Sequence, residues 1–176
     1  TMINKIFEII EAKKIFNIKY NQLFILTHPQ SYLHAIVEFK NGLIKLIAHN
    51  TDMRIPIINS IYEQTDFNSK SKKLNLDYLN DLNLSNVNLN KFESVKILKQ
   101  IPNKNSLYET VIVSANDELV HLFLKRKIKF TDIVNKLSSF IKRKEFIKYK
   151  YKYPKNLDQI KILSRYVRLK VNSLCI

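Results

Sequence analysis

The chain has 176 residues, enough for one ordinary domain or two small ones, and its single Gly excludes both the G-x-G-x-x-G and the P-loop way of holding a pyrophosphate by close backbone approach. Its formal charge of +15 invites nucleic acid or a membrane surface as partner, but the lysines are spread over every segment, which favours a solvated basic surface born of compositional bias. One Cys, at position 175, leaves no disulfide framework or cysteine metal site and fits a reducing cytosol, and no apolar run approaches the roughly 18 residues that span a bilayer.

The chain opens inside a patterned segment, with no signal peptide, and so reads as a fragment. Ile6, Ile9, Ile10, Ala12 and Phe16 mark a helix over 4–16 with one apolar side. Asn4, Lys5 and Glu8 project together from its first turns. Leu23 to Thr27 suits a short buried strand that ends at His28-Pro29. The two alternating runs around Asn41-Gly42 predict a hairpin with a two-residue type I′ turn. That register would bury Ala35, Val37 and Phe39 with Ala48, Leu46 and Ile44, and would pair Glu38 with Lys45, Ile36 with Ile47 and His34 with His49. Met53 to Tyr62 reads as a helix that tolerates Pro56 in its first turn.

From Glu63 to Asn90 the chain turns polar, with brief apolar touches at Leu74, Leu76 and Leu79, and reads as a connecting segment with at most one short strand. Helical patterns follow at 92–101, 107–113 and 116–127, the last with Asn116 as its N-cap and Asp117 and Glu118 at the dipole-favoured end. Thr131 is placed to cap the next helix, whose stripe is Ile133, Val134, Leu137 and Ile141. Asn156 and Gln159 open the last, with Leu157, Ile160, Leu163, Val167, Val171 and Leu174 as its stripe. The fold class is α+β: a small sheet with a hairpin and helices over 1–70, a connection over 71–90, and a helical bundle over 91–176.

Three groups carry possible chemistry. Lys5 and Asn4 offer donors to a phosphate, and Glu8 one turn away offers an oxygen to a hard divalent cation; spacing alone favours a partly exposed helix end with an ordinary Lys–Glu ion pair. His28, His34 and His49 lack an evident third ligand for zinc, so hydrogen-bonding roles are favoured. The run from Lys142 to Tyr153 interleaves Lys with Tyr as a single-strand nucleic-acid clamp does, or lies as a solvated connection between helices. A basic nucleic-acid-binding module is thus the alternative function; a catalytically dead relative kept as a scaffold is another.

Taken in order, several motifs resemble the 1-deoxy-D-xylulose 5-phosphate reductoisomerase family: Asn4-Lys5 with Glu8, His28-Pro29-Gln30-Ser31 with His34, Asp52-Met53-Arg54 with Pro56, Ser114-Ala115-Asn116-Asp117-Glu118, and Phe130-Thr131-Asp132-Ile133. The resemblance implies the rear half of a catalytic α/β domain followed by the C-terminal helical domain. It implies a reaction that converts 1-deoxy-D-xylulose 5-phosphate to 2-C-methyl-D-erythritol 4-phosphate on the methylerythritol phosphate route to isoprenoids, with NADPH and a divalent metal, Mg or Mn, as cofactors. By the same resemblance Asn4, Lys5 and Glu8 meet the sugar phosphate, Glu8 also ligates the metal and is the catalytic carboxylate, and Met53 stands near the nicotinamide. A cytoplasmic homodimer is expected of the full-length protein, with NADPH held mainly by an N-terminal domain upstream of Thr1. This portion alone is expected to be inactive. Departures from the family pattern are Ile6 for Gly, Thr51 for Pro and Glu93 for Pro.

Overall fold

A computed structural model describes residues 2–62 and 76–175. The part of the expected connecting segment from 63 to 75, with Leu74, lies outside the described residues. Two compact units are formed, one drawn from Thr1–Ile25 and Asn88–Ile176 and the other from Leu26–Val87. This grouping differs from the division at 70 and 90, because the first helix packs with the C-terminal helices.

The first unit is helical. Helix α1 (Met2–Phe16) buries Ile3, Ile6, Ile9 and Ile10. It stops where Asn17 takes φ 51, the left-handed conformation that Asn tolerates better than other side chains and that ends helices at this position. Residues Glu93–Gln100 form 3-10 turns in place of the expected α-helix, and their Ile97 joins Ile6 and Ile10 in the core. The centre of the unit is helix α4 (Tyr108–Leu124), with α5 (Phe130–Ile141) and α7 (Leu157–Cys175) packed against it. Short helix α6 (Lys144–Ile147) turns the chain, and its Phe146 stacks on Phe140 with centroids 4.4 Å apart. Val111, Leu119, Leu137, Val167 and Val171 are each 0% exposed. By area bookkeeping each such side chain contributes about 1.5–3 kcal/mol of burial before entropy is counted.

Two helices expected over 107–113 and 116–127 are one. Asn116 is no cap: it is buried in the middle of α4. Of the polar knot around it, α7 meets Ser114, Asp117 and Glu118, while the Asn116 Oδ1 is buried without a hydrogen-bond partner. Ser114 Oγ lies 2.9 Å from Ser164 Oγ, Asn172 Nδ2 donates to Glu118 at 2.7 Å, and Arg168 reaches Asp117 at 2.8 Å and Glu118 at 3.6 Å. Helix α5 is capped from Lys129, whose amide donates to Asp132 at 2.9 Å; Thr131 already lies inside the helix. Asn156 does cap α7, accepting from the Gln159 amide at 2.9 Å, and Leu163, Val167 and Val171 of its stripe are buried.

The second unit is a set of short strands with two small helices, α2 (Arg54–Ile61) and α3 (Leu76–Asn80). Strand β1 (Leu26–Thr27) pairs antiparallel with β4 (Ser85–Asn86), and Leu26 is exposed where a buried strand was expected. Strands β2 (Leu33–Glu38) and β3 (Ile44–Ala48) form the hairpin. Its register is one residue off the expectation: Ile36 faces Leu46, Val37 faces Lys45 and Glu38 faces Ile44. The turn explains the shift. Gly42 N donates to Phe39 O at 2.9 Å and Phe39 N to Leu43 O at 2.9 Å, closing a three-residue connection. Gly42 alone in it has positive φ, 85, so the turn is type I closed by a left-handed glycine, where type I′ would put Asn41 there too.

That one-residue shift moves every partner. The expected buried face is exposed as well, with Val37 41%, Ile44 57% and Leu46 56% accessible. The hairpin is a two-stranded sheet on its own, and alternation selects an inner face only where a second layer covers it. Tyr32 and Leu33 are the buried apolar residues of this unit among those described, and Tyr32 meets the α3 ring of Tyr78 edge-on at 5.7 Å.

Candidate functional site

Helix α1 has a dry side and a wet side. Ile3, Ile6 and Ile10 face the core, which turns Asn4, Lys5 and Glu8 outward into solvent. Lys5 Nζ sits 2.8 Å from Glu8 Oε2, with side chains 48% and 56% accessible. An exposed pair three residues apart is worth only about 0.2–0.5 kcal/mol, so the two side chains separate at little cost.

Among the described residues no three His, Cys, Asp or Glu side chains converge to hold a metal. A hard divalent cation takes about six oxygen ligands, of which the Glu8 carboxylate could supply one.

The histidines are engaged in backbone bonds. His28 Nε2 lies 2.8 Å from Leu33 O and closes the His28-Pro29-Gln30-Ser31 loop, while Gln30 Nε2 donates to Asp81 O at 2.8 Å. The rings of His34 and His49 do meet, stacked 3.7 Å apart and 9° from parallel, but as hydrogen-bonded rings: His34 Nε2 is 3.0 Å from His49 O, and His49 Nδ1 is 2.6 Å from Asn50 O. Asp52 and Arg54 form a two-bonded ion pair with contacts of 2.6 and 3.0 Å. Side-chain and backbone hydrogen bonds from Arg54 hold the Asp52 carboxyl down at about 2. Met53 is exposed.

In the Lys142–Tyr153 run, lysines lie over rings of the same protein: Lys148 and Lys152 over Tyr149, and Lys150 over Tyr108. Tyr108 is fully buried, donates to Ile141 O at 2.9 Å, and has its hydroxyl pushed up to about 12 by burial.

Sequence reading missed a buried polar cluster at the far end of α1. Lys13 and Glu109 are 6% and 3% exposed. Glu109 Oε2 forms an ion pair with Lys14 Nζ at 3.2 Å and accepts from the Ser106 amide at 3.1 Å, and Oε1 accepts from the Tyr20 hydroxyl at 3.4 Å. Burial first, then the Glu109 charge, raises the Tyr20 hydroxyl above the usual tyrosine range. Ser106-Leu107-Tyr108-Glu109 is an S-x-x-E capping box, with Ser106 Oγ accepting from the Tyr108 amide at 3.3 Å; that motif was the available signal.

The helical bundle belongs to a known class. A model of the DXP reductoisomerase C-terminal domain matches residues 49–170, and the chain is a member of that family. Among its relatives, 1-deoxy-D-xylulose 5-phosphate reductoisomerase of Pelagibacter ubique (strain HTCC1062) is 55% identical over 176 residues, 100% of this chain and 45% of the relative. The same enzyme of Aquifex aeolicus (strain VF5) is 33% identical over 135 residues, 77% of this chain and 36% of the relative. The chain therefore spans less than half the length of these curated relatives. The solved Zymomonas mobilis enzyme in complex with NADPH superposes with a TM-score of 0.82 at 25% identity, over 98% of this chain and 44% of that one. A DOX-P reductoisomerase in complex with NADPH, fosmidomycin and magnesium gives a TM-score of 0.84 at 25% identity, over 98% and 43%.

Proposed function

We propose that this chain is the C-terminal portion of a reductoisomerase that converts 1-deoxy-D-xylulose 5-phosphate to 2-C-methyl-D-erythritol 4-phosphate with NADPH and a divalent metal. The observation that carries the reading is the 55% identity that runs through all 176 residues, from the Asn4-Lys5 island to the last helix. Asn4 and Lys5 hold the substrate phosphate: an amide and an ammonium on adjacent, solvent-facing positions present N–H donors to separate phosphate oxygens. Glu8 supplies one oxygen to the metal, Mg or Mn, and orients the substrate oxygens beside it. The metal, when bound, supplies Lewis-acid polarisation of the vicinal oxygens. Met53 lines the nicotinamide. Residues 1–70 complete the catalytic domain, and the full-length protein acts in the reducing cytosol as a homodimer.

The test has two arms. Purified as it stands, the chain is expected to show no NADPH oxidation with ketose phosphate and Mg²⁺; turnover there would overturn its reading as one part of a larger enzyme. In the full-length enzyme, Glu8→Gln is expected to lower kcat/KM by roughly 100-fold or more, since it removes a charged ligand from the reacting centre. A Glu8→Gln enzyme with wild-type kinetics would remove Glu8 from the site.

A further inference from the structure

We infer that the buried cluster at the C-terminal end of α1 is a clamp that sets the rotation of that helix, and that Glu109 is a positioning residue for the phosphate-binding island at its other end. The inference rests on the proposed role of Asn4 and Lys5 and extends it. Ile3, Ile6 and Ile10 hold α1 to the bundle through apolar contact, which is non-directional and tolerates small rotations. Hydrogen bonds to charged groups do not. Two consecutive residues of α1 make polar contacts with one short stretch of chain: Lys13 Nζ donates a hydrogen bond to Asn105 Oδ1 at 3.1 Å, and Lys14 Nζ forms an ion pair with Glu109 Oε2 at 3.2 Å.

Consecutive helical positions lie about 100° apart around the axis, so the two contacts grip α1 from different sides. A turn of the helix that relaxed one would strain the other. The cluster is closed on itself: the Tyr20 hydroxyl meets Glu109, and Lys13 Nζ lies 5.1 Å from the Tyr20 ring centroid. Moving α1 would therefore strip donors from a carboxylate that is almost wholly buried, and an unpaired buried charge is strongly disfavoured.

The geometry makes small rotations matter. At the outer radius of a helix, about 5–6 Å, 10° of rotation shifts a side-chain tip by roughly 1 Å. A misplacement of about 1 Å in a positioning group can cost on the order of 100-fold in rate. Lys5 is nine residues from Lys14, about 14 Å along the axis, so Glu109 acts on the substrate only through α1.

The experiment is steady-state kinetics of the full-length enzyme, with ketose phosphate and NADPH varied in turn, beside thermal melts. Glu109→Gln and Lys14→Met are each expected to raise KM for the ketose phosphate roughly tenfold and leave KM for NADPH unchanged. Lys14→Arg, which keeps the charged donor, is expected to restore the wild-type KM. Variants that melt earlier but keep the wild-type KM would show the cluster to be structural only and overturn the clamp. Should Glu109→Gln fail to fold, Lys14→Met decides, because Lys14 is 40% accessible and its loss leaves Glu109 two of its three donors. Lys5→Ala run in parallel separates the two ideas. If it raises KM while Glu109→Gln and Lys14→Met do not, only the clamp fails; if Lys5→Ala itself has no effect, the phosphate-site reading fails and the clamp with it.

Discussion

Both compact units carry branched aliphatic residues, but among the described residues the helical one buries many of them and the other only Leu33. Val111, Leu119 and Val167 are 0% exposed in the helical unit, whereas Leu43, Ile44, Leu46 and Ile47 of the hairpin are 51–57% exposed. The helical unit supplies its own second layer, since α5 and α7 cover α4 from two sides. The hairpin is a two-stranded sheet, and such a ribbon is marginally stable unless something packs on it. Hydrophobic pattern says which side chains can share a face; burial, and so stability, depends on whether another element meets that face.

The largest expected effect sets one leucine from each unit against the other. Leu119→Ala opens a cavity in the closed core and is expected to cost about 2–5 kcal/mol. Leu46→Ala, at a position 56% exposed, is expected to stay within about 0.5 kcal/mol. Thermal and urea melts of the chain followed by far-UV circular dichroism measure both, and equal losses would erase the contrast drawn here.

A middle-sized effect belongs to Tyr108. Tyr108→Phe strands the buried Ile141 carbonyl and is expected to cost about 1–2 kcal/mol. Its hydroxyl also gives the helical unit an alkaline limit. The folded pKa of about 12 lies above the ordinary 10.0, so the fold favours the protonated form. That stabilisation is complete below pH 10 and is lost as pH rises toward about 12. Absorbance titration of tyrosine ionisation, with Tyr108→Phe as control, should lose the component near 12 in the variant.

The smallest effect lies in the hairpin unit, at Asp52. Its folded pKa of about 2 lies below the ordinary 3.8, so its contribution is present above pH 3.8 and disappears as pH falls through about 2. The pair is solvent-exposed, and the change is expected in the carboxyl NMR titration of Asp52 with little movement in the melt. Arg54→Ala should return the midpoint to near 3.8; an unmoved midpoint would point to another source of the shift.

Part of the site was legible in advance. The isoleucines of α1 determine its dry side, so the outward direction of Asn4, Lys5 and Glu8 follows from spacing alone. The clamp at Lys13, Lys14 and Glu109 was not legible, because its partners are 95 positions apart for Lys14 and Glu109 and 92 for Lys13 and Asn105, and a lysine in an α-helix gives no sign of where its ammonium ends. The S-x-x-E box at Ser106 marked the start of α4 but not the third role Glu109 takes.

Local chemistry alone determined α1 with its amphipathic face, the cap of α7 at Asn156 and a glycine-closed turn at Gly42. These depend on groups within a few residues of one another. Tertiary structure decided the rest: that α1 joins the helical unit, and that α4 runs unbroken through Asn116, with α7 meeting Ser114, Asp117 and Glu118 from 50 to 54 positions later. The hairpin slipped by one residue because Gly42 alone takes positive φ, a choice between turn geometries that the Asn-Gly pair leaves open. Which polar groups of a helix find a distant partner is set by packing: α7 meets Ser114, Asp117 and Glu118 but leaves the Asn116 Oδ1 unpaired.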